Sequence, residues 1–228
     1  MRSFDYIESG KTLLTPHTTS LLAAIHEAKG RQSIQTTIRP DILGTLVAVA
    51  RIQSTDASNR IEGISTSDSR LNDLVSEKVT PRNRNEEEIA GYRDALSVIH
   101  ESHDYIPITP NVILQLHRDL FRHTPLTFAG HFKDSDNVII ERDAHGTSTV
   151  RFAPPSALVT PELIERACSA YTQAIRDGHT DPLLAIAMFI LDFICIHPFN
   201  DGNGRMSRLL TLLMLYRNGY MVGKYISI

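Results

Sequence analysis

The segment after Asp181-Pro182 constrains this chain more than any other, because apolar residues fill nearly every position from Leu183 to Ile196. A run of this length makes about four helical turns, and it is shorter than the ~20 residues that cross a membrane. A helix with almost no polar face is stable only when other helices surround it. We therefore predict a helical core that has this segment at its centre.

Cap residues followed by proline mark the start of this helix and of two others, at Thr109-Pro110 and Thr160-Pro161. Apolar spacing predicts four further helices. They span Ser20 to Lys29 before Gly30, Pro40 to about Glu62, Glu86 to about His103, and Met206 to Tyr216 before Gly219. The acidic run Glu86-Glu87-Glu88 fits a first helical turn better than a metal site. The expected fold class is all-α.

One stretch interrupts the helical pattern, between residues 137 and 152. The β-prone residues Val138, Ile139 and Ile140 precede a turn-prone sequence at 143–146 and a second β-prone run at 149–152. We predict a small β-hairpin flap. Two interpretations stay open: the flap only covers the helical core, or its free edge aligns a target peptide by strand addition.

The bulk composition places the chain in the ordinary globular class, with 228 residues, 42% of them hydrophobic, and a formal net charge of −3. We expect one main domain, with a helical N-terminal part to about residue 80 and a core from about residue 85. Cys168 and Cys195 lie in apolar patterns, which favours a reducing, cytoplasmic setting. The sequence has no block of Lys and Arg residues of the kind that binds nucleic acid. The apolar ending at 225–228 is compatible with a missing C-terminal region.

A segment of twelve residues joins the apolar helix to the next one, and from position 197 it reads HPFNDGNGRMSR. Residues Gly202, Asn203 and Gly204 precede a helix start, where backbone amides and the helix dipole attract an anion. Arg205 and Arg208 lie about one turn apart, so both guanidinium groups are expected to face one polyphosphate.

The same segment carries a carboxylate and an imidazole that can take part in a reaction. Asp201 is the type of carboxylate that holds Mg²⁺ beside phosphates, and His197 supplies a base. Each residue alone has a commoner explanation, as a cap, a turn or a surface charge. Their combination in one loop indicates phosphoryl-type transfer, because it unites a base, a carboxylate, an anion-binding loop and paired arginines.

The segment resembles the signature of the Fic (filamentation induced by cAMP) family, HPFx[D/E]GNGRxxR, at every fixed position. The resemblance implies a Fic-like helical bundle, a hairpin flap for target docking, and transfer of AMP from ATP to a protein hydroxyl. His197 would deprotonate that hydroxyl, Asp201 would hold Mg²⁺, and Phe199 would anchor the loop. The glycine-rich part would bind phosphates, and the two arginines would clamp the β- and γ-phosphates.

A second motif lies upstream, over residues 58–63, and SNRIEG is similar to the family's inhibitory pattern [S/T]xxxE[G/N]. Ser58 and Glu62 are four residues apart and share a helix face, and Gly63 can end the helix in a left-handed conformation. The carboxylate of Glu62 would then pair with Arg208 and take away the arginine that binds the γ-phosphate. The alternative is a solvated glutamate at an ordinary helix end.

Residues outside these motifs receive structural interpretations. His117 lies on an otherwise apolar helix and is interpreted as a hydrogen-bonded core histidine. Lys133, Asp134 and Asp136 are interpreted as a polar rim of the flap.

The leading prediction is a Mg²⁺-dependent protein adenylyltransferase that Glu62 inhibits. One alternative runs the chemistry in reverse, with Glu62 positioning a water that removes AMP from a modified protein. Another is a regulatory module that binds a nucleotide without turnover. The expected partners are ATP and a protein target, and the target, the modified residue and any homo-oligomer stay open.

Overall fold

The structure is a computed structural model that describes residues 4–38, 40–142, 146, 148–176 and 178–227. Within them the chain forms ten α-helices and one two-stranded antiparallel sheet. The helices are α1 (Tyr6–Leu13), α2 (Pro16–Ile38), α3 (Pro40–Ile61), α4 (Asp68–Val75), α5 (Arg84–Ser102), α6 (Pro110–Leu120), α7 (Thr160–Arg176), α8 (Pro182–Ile196), α9 (Asn203–Arg217) and α10 (Val222–Tyr225). The predicted fold class, an all-α bundle with a small hairpin, is confirmed.

The three cap-then-proline pairs lie at helix starts, as predicted. Thr109 accepts a hydrogen bond from the Val112 amide, and Asp181 accepts one from the Leu183 amide. Thr160 differs, because its hydroxyl donates to the carbonyl of residue 156 at 2.9 Å. The reason is a 3₁₀ turn over Ala157–Val159, which leads directly into α7.

Helix α2 is longer than predicted, because it runs through Gly30 to Ile38. A glycine inside a helix costs about 1 kcal/mol relative to alanine, which tertiary contacts can offset. Such a contact lies next to it: the ammonium of Lys29 donates to the Asn218 carbonyl at 2.6 Å and lies 4.3 Å from the ring centre of Tyr220. The expectation that Gly30 ends the helix was therefore wrong.

The centre of the core is α9 together with α5, rather than α8. Helix α9 packs against α3, α5, α6 and α8, whereas α8 packs against α1, α7 and α9. The described helices thus cover one side of α8 and leave Leu191 and Ile194 51% and 43% exposed. The prediction that helices surround α8 was wrong on that side. On the covered side even a carboxylate is buried, because Asp192 accepts a bond from the Tyr6 hydroxyl at 2.8 Å.

Helices α5 and α6 are in close contact at Gly91. A Cβ atom at this position would collide with the backbone carbonyl of Leu120, so only glycine fits. The close approach matters for the site because α5 carries Glu88 and α6 carries His117, and both of these side chains are buried.

The predicted hairpin flap consists of β1 (Ile139–Arg142) and β2 (Ser148–Phe152), which pair antiparallel with an irregularity after Ile139. Val138 lies just before the first strand. Of the predicted turn, Gly146 has a left-handed φ of 83°, whereas residues 143–145 lie outside the described residues.

The flap is open to solvent. Val138 and Ile140 are each 52% exposed, and every residue of β2 is exposed. Among the described residues no third strand pairs with β1 or β2, so each strand has one unpaired edge. Target docking by this edge stays a prediction.

Both cysteines lie on helices and are free thiols, with Cys168 buried on α7 and Cys195 half-buried on α8. Burial raises the pKa of Cys168 to about 12, so this thiol behaves as a core group. In the part of the chain that the structure describes, no helix has both the length and the hydropathy to cross a bilayer.

Candidate active site

His197 is the residue at which α8 ends. Its φ of 50° and ψ of 63° are left-handed, a conformation that histidine adopts rarely. Its amide still donates to the Phe193 carbonyl at 3.0 Å, so the helix hydrogen bonds continue up to this point. The imidazole is half-buried, and its Nδ1 has no hydrogen-bond partner among the described residues.

The surroundings of His197 favour a neutral imidazole. Burial holds its pKa below the ordinary value, and the positive charge of Lys133 lowers it further. The Ile194 carbonyl and the Glu62 carboxylate act in the opposite direction and do not reverse the shift. A neutral imidazole is the form that accepts a proton at neutral pH.

Phe199 lies at the base of the loop and is fully buried. Its ring stacks on His117, with 3.7 Å between the ring centres and 1° between the planes. The side chain of Asn203 makes hydrogen bonds to both backbone groups of Phe199. The carboxamide oxygen accepts from the Phe199 amide at 3.0 Å, and the nitrogen donates to the Phe199 carbonyl at 2.8 Å.

His117 is a hydrogen-bonded core histidine, as predicted, and it also supports the loop. Its Nδ1 accepts from the Gly130 amide at 2.9 Å, so Nε2 carries the proton and donates to the Asp201 carbonyl at 3.1 Å. Burial lowers its pKa to about 4, which keeps the ring neutral and this tautomer in place.

Asp201 turns its carboxylate toward solvent. The side chain is 48% exposed, and its nearest cationic atoms belong to Arg205 and Arg84, at 3.8 and 3.9 Å. One carboxylate oxygen accepts from the Gly202 amide at 2.6 Å. Among the residues that the structure describes, no group of three or more His, Cys, Asp or Glu is placed to hold a metal. A single carboxylate suits Mg²⁺, which takes its other ligands from waters and phosphate oxygens.

Helix α9 begins without a side-chain cap. Gly202 precedes it in a left-handed conformation, with φ of 81°, and a side chain at this position would press against Phe121. The amides of Asn203, Gly204 and Arg205 form the first turn, where a helix leaves N–H groups without internal acceptors. This end of α9 therefore offers amide donors to an anion, and phosphate binding by it stays a prediction.

Arg205 is buried, with 1% of its side chain exposed. Its guanidinium lies 2.7 Å from the Glu88 carboxylate and 5.0 Å from the ring centre of Phe121. The expectation that it faces the same open side as Arg208 was wrong. The physical reason is Glu88, a buried carboxylate on α5 that draws the guanidinium into the core. Phosphate binding by Arg205 stays a prediction.

Arg208 lies on the open side of α9 and is held by two residues of α3. It donates to the Ser58 hydroxyl at 2.7 Å, to the Ser58 carbonyl at 2.9 Å and to the Glu62 carboxylate at 2.7 Å. The structure thus brings the upstream motif into contact with Arg208. Glu62 and Arg208 are 146 residues apart in the sequence.

Glu62 also lies against the start of α9. A Cβ atom added to Gly204 would collide with the carboxylate oxygen of Glu62, so this oxygen lies directly over the Gly204 backbone. A carboxylate therefore occupies the side of the helix N-terminus where an anionic ligand would bind.

Gly63 presents Glu62 by ending α3. Its φ is 77°, and its amide donates to the Arg60 carbonyl while the Ile64 amide donates to the Asn59 carbonyl. These two bonds define a Schellman motif, in which glycine is the preferred left-handed residue. Ile64 then packs on a small second core that includes Leu74 and anchors the end of the helix.

Three residues that matter for the site carry no signal in the sequence. Glu88 binds Arg205, Tyr92 is buried beside Ser58, and Lys133 is 3% exposed rather than on a polar rim. Each is a polar residue whose burial follows from helices and loops far away in the chain. The acidic run at 86–88 hinted at Glu88 only as part of a helix start.

Comparison with known proteins matches part of the chain to one family. The model of the Fic/DOC family matches residues 107–215. A Fido domain-containing protein of Dictyostelium discoideum is 37% identical over 90 residues, which are 38% of this chain and 58% of that protein. Protein adenylyltransferase fic-1 of Caenorhabditis elegans is 28% identical over 145 residues, which are 60% of this chain and 25% of that protein.

Solved structures of similar fold include two bacterial proteins. A Fic domain-containing signaling protein of Bacteroides thetaiotaomicron has a TM-score of 0.73 at 24% identity, covering 87% of this chain and 73% of that one. A Fic family protein of Desulfovibrio desulfuricans has a TM-score of 0.71 at 24% identity, covering 93% and 61%. These likenesses concern the fold alone. The chain spans 58%, 25% and 37% of three curated relatives that it matches.

Proposed function

We propose that this chain is a protein adenylyltransferase, because residues 107–215 match the model of the Fic/DOC family, which the motif at 197–208 resembles. The observation that supports the proposal best is the loop between α8 and α9. It joins a half-buried imidazole, an open carboxylate and an uncapped helix N-terminus within residues 197–204. These groups are the base, the metal ligand and the phosphate site that nucleotidyl transfer needs.

In the proposed reaction His197 takes the proton of a serine, threonine or tyrosine hydroxyl on the target protein. The hydroxyl oxygen forms a bond to the α-phosphorus of ATP, and the bond to the pyrophosphate oxygen breaks. The amides at the start of α9 bind the phosphates, and Arg208 binds the terminal one. Asp201 would hold Mg²⁺, which when bound neutralises charge on the phosphates.

We further propose that Glu62 inhibits this reaction in the same chain. The carboxylate holds Arg208 and lies over Gly204, so it competes with ATP for both of its phosphate-binding groups. An ion pair that is 27% and 35% exposed is worth about 0–1 kcal/mol, so a ligand can displace it. Inhibition then depends on how firmly α3 is packed, rather than on the ion pair alone.

The first test compares Glu62→Gly with the parent chain, using ATP labelled on the α-phosphate, Mg²⁺ and a cell lysate. We expect more label in proteins for the variant, and none from ATP labelled on the γ-phosphate. Glu101→Gly is a matched control, because Glu101 is an exposed glutamate near the end of α5. If Glu62→Gly and Glu101→Gly label equally, the inhibitory role is wrong.

The second test adds His197→Ala to the Glu62→Gly chain. Loss of a general base lowers a rate by about 10²- to 10⁴-fold, so labelling should fall to that extent. Unchanged labelling would contradict the enzymatic proposal and favour a nucleotide-binding module. Release of AMP from a pre-modified protein, stronger with Glu62 than without it, would favour the reverse reaction.

A further inference from the structure

Lys133 is a buried cation that the proposed mechanism does not use. Its side chain is 3% exposed, and its ammonium donates to two uncharged acceptors, the Ile196 carbonyl and the Asn137 side-chain oxygen, each at 3.1 Å. Burial lowers its pKa, whereas Asp136 acts to raise it. Burying an ammonium is unfavourable unless its hydrogen bonds are satisfied, so these two acceptors hold the group in place.

Those contacts lie on both sides of His197. The side chain of Lys133 binds the carbonyl of Ile196, the residue before the histidine. The backbone amide of Lys133 donates to the carbonyl of Pro198, the residue after it, at 2.8 Å. One residue thus holds the peptide groups that flank the proposed base.

His197 needs such support because its backbone is strained. A left-handed histidine costs of order 1–3 kcal/mol and persists only where surrounding contacts hold it. Its φ of 50° is one of two positive values among the described non-glycine residues, the other being Glu77. The side chain of Lys133 holds Ile196, and its backbone amide holds Pro198, so both neighbours of His197 are kept in place.

Two further hydrogen bonds join the residues after Lys133 to the loop that follows His197. The Asn137 side chain donates to the Phe199 carbonyl at 3.4 Å, and the Asn200 side chain donates to the Asp134 carboxylate at 3.1 Å. Residues 133–137 therefore run along residues 196–200, directly before the flap. Residues 133–137 thus connect the start of the flap to the backbone on either side of His197. Lys133 is the buried residue of this segment.

We propose that Lys133 is a positioning residue for AMP transfer, because it fixes the imidazole of His197 by binding the peptide groups on both sides of it. This inference rests on the proposed function. The charge of Lys133 adds a second effect, since it lowers the pKa of His197 and opposes Glu62.

The test compares Lys133→Met and Lys133→Arg in the Glu62→Gly chain. Methionine keeps the length and the backbone bond to the Pro198 carbonyl, and it removes the side-chain donor and the charge, whereas arginine keeps the backbone bond, the donor and the charge. A misplaced catalytic group costs roughly 10- to 100-fold in rate, so we expect kcat to fall by that factor in Lys133→Met, with the KM for ATP changed less than about threefold. Lys133→Arg should recover most of kcat, and Lys11→Met, at an exposed lysine, should change nothing.

A separate readout follows the His197 imidazole by NMR over pH in each variant. Lys133→Met should raise its pKa, and Lys133→Arg should leave it near the parent value. If Lys133→Met lowers kcat no more than Lys11→Met, the positioning role is wrong. If it leaves the His197 titration unchanged, the charge effect is wrong and the positioning role is judged by kcat. If the Glu62→Gly chain transfers no AMP at all, the proposed function fails, and the backbone amide NMR shift of His197 decides the role of Lys133: Lys133→Met should move it, and an unchanged shift would contradict the positioning.

Discussion

The inner and outer sides of α9 carry two ion pairs that have the same nitrogen to oxygen distance and different surroundings. Arg205 binds Glu88 and Arg208 binds Glu62, each with a nitrogen to oxygen distance of 2.7 Å. The inner pair is 1% and 3% exposed, whereas the outer pair is 27% and 35% exposed. The two arginines are only three residues apart.

The difference shows why distance alone does not assign a role to an ion pair. Removing one partner of a buried pair leaves an uncompensated charge and costs about 3–5 kcal/mol, whereas an exposed pair is worth about 0–1 kcal/mol. The inner pair therefore holds α5 against α9, and a ligand cannot replace it. The outer pair is weak enough for a phosphate to replace the carboxylate of Glu62.

The largest expected effect comes from breaking the inner pair. Glu88→Gln should lower the free energy of unfolding by about 3–5 kcal/mol, because the buried Arg205 charge loses its nearest carboxylate and is left with the more distant Asp201, at 3.8 Å. Glu62→Gln on the outer side should lower it by about 1 kcal/mol or less. Urea denaturation at neutral pH measures both.

Equal losses for these two variants would contradict the comparison, since the buried and exposed pairs would then be equivalent. Glu87→Gln is the matched control, because Glu87 lies on the same turn of α5 and is only half-buried.

An intermediate effect is expected from pH, through two histidines packed on the inner side. Burial lowers the pKa of His100 and of His117 to about 4, below the ~6.5 of an unfolded chain. The unfolded state therefore binds protons first, so the stability from each neutral histidine is present above pH ~6.5 and is lost as the pH falls toward 4.

Urea denaturation at pH 7.0, 5.5 and 4.5 measures this loss, which we expect to be on the order of 2 kcal/mol per histidine at the lowest pH. His117→Gln should have a shallower dependence over this range, whereas His17→Gln, at an exposed histidine, should match the parent. A dependence that His117→Gln leaves unchanged would assign the acid sensitivity to other groups.

The smallest expected effect concerns the outer side. Ser58→Ala removes the hydroxyl that Arg208 binds at 2.7 Å and leaves the Ser58 carbonyl and Glu62 in place. One such hydrogen bond is worth about 0.5–1.5 kcal/mol, so AMP transfer should rise only about two- to tenfold. Its rate relative to Glu62→Gly, under the same ATP and Mg²⁺ concentrations, is the measurement. A rise as large as that of Glu62→Gly would show that the hydroxyl holds Arg208 as strongly as the carboxylate does.

Much of this architecture was predictable, because local signals in the sequence agree with the tertiary structure. The caps at Thr109 and Asp181, the end of α3 at Gly63 and the interruption of the helices by a hairpin all depend on residues close together in the chain. The predicted placement of α8 was less accurate. An apolar pattern indicates that a face is buried, but it does not indicate how many helices are available to cover it.

The sequence by itself determined which groups are available: the residues of the loop, the helix that follows it, and a glutamate at the tip of α3. Only the tertiary structure decided which of two arginines points inward, because Glu88 on α5 competes for Arg205 and no local pattern records that contact. The same holds for Lys133, whose burial depends on the carbonyls of a loop more than sixty residues away. Contacts between distant segments set the dielectric surroundings of a charge, and these decide whether it is structural or free to bind.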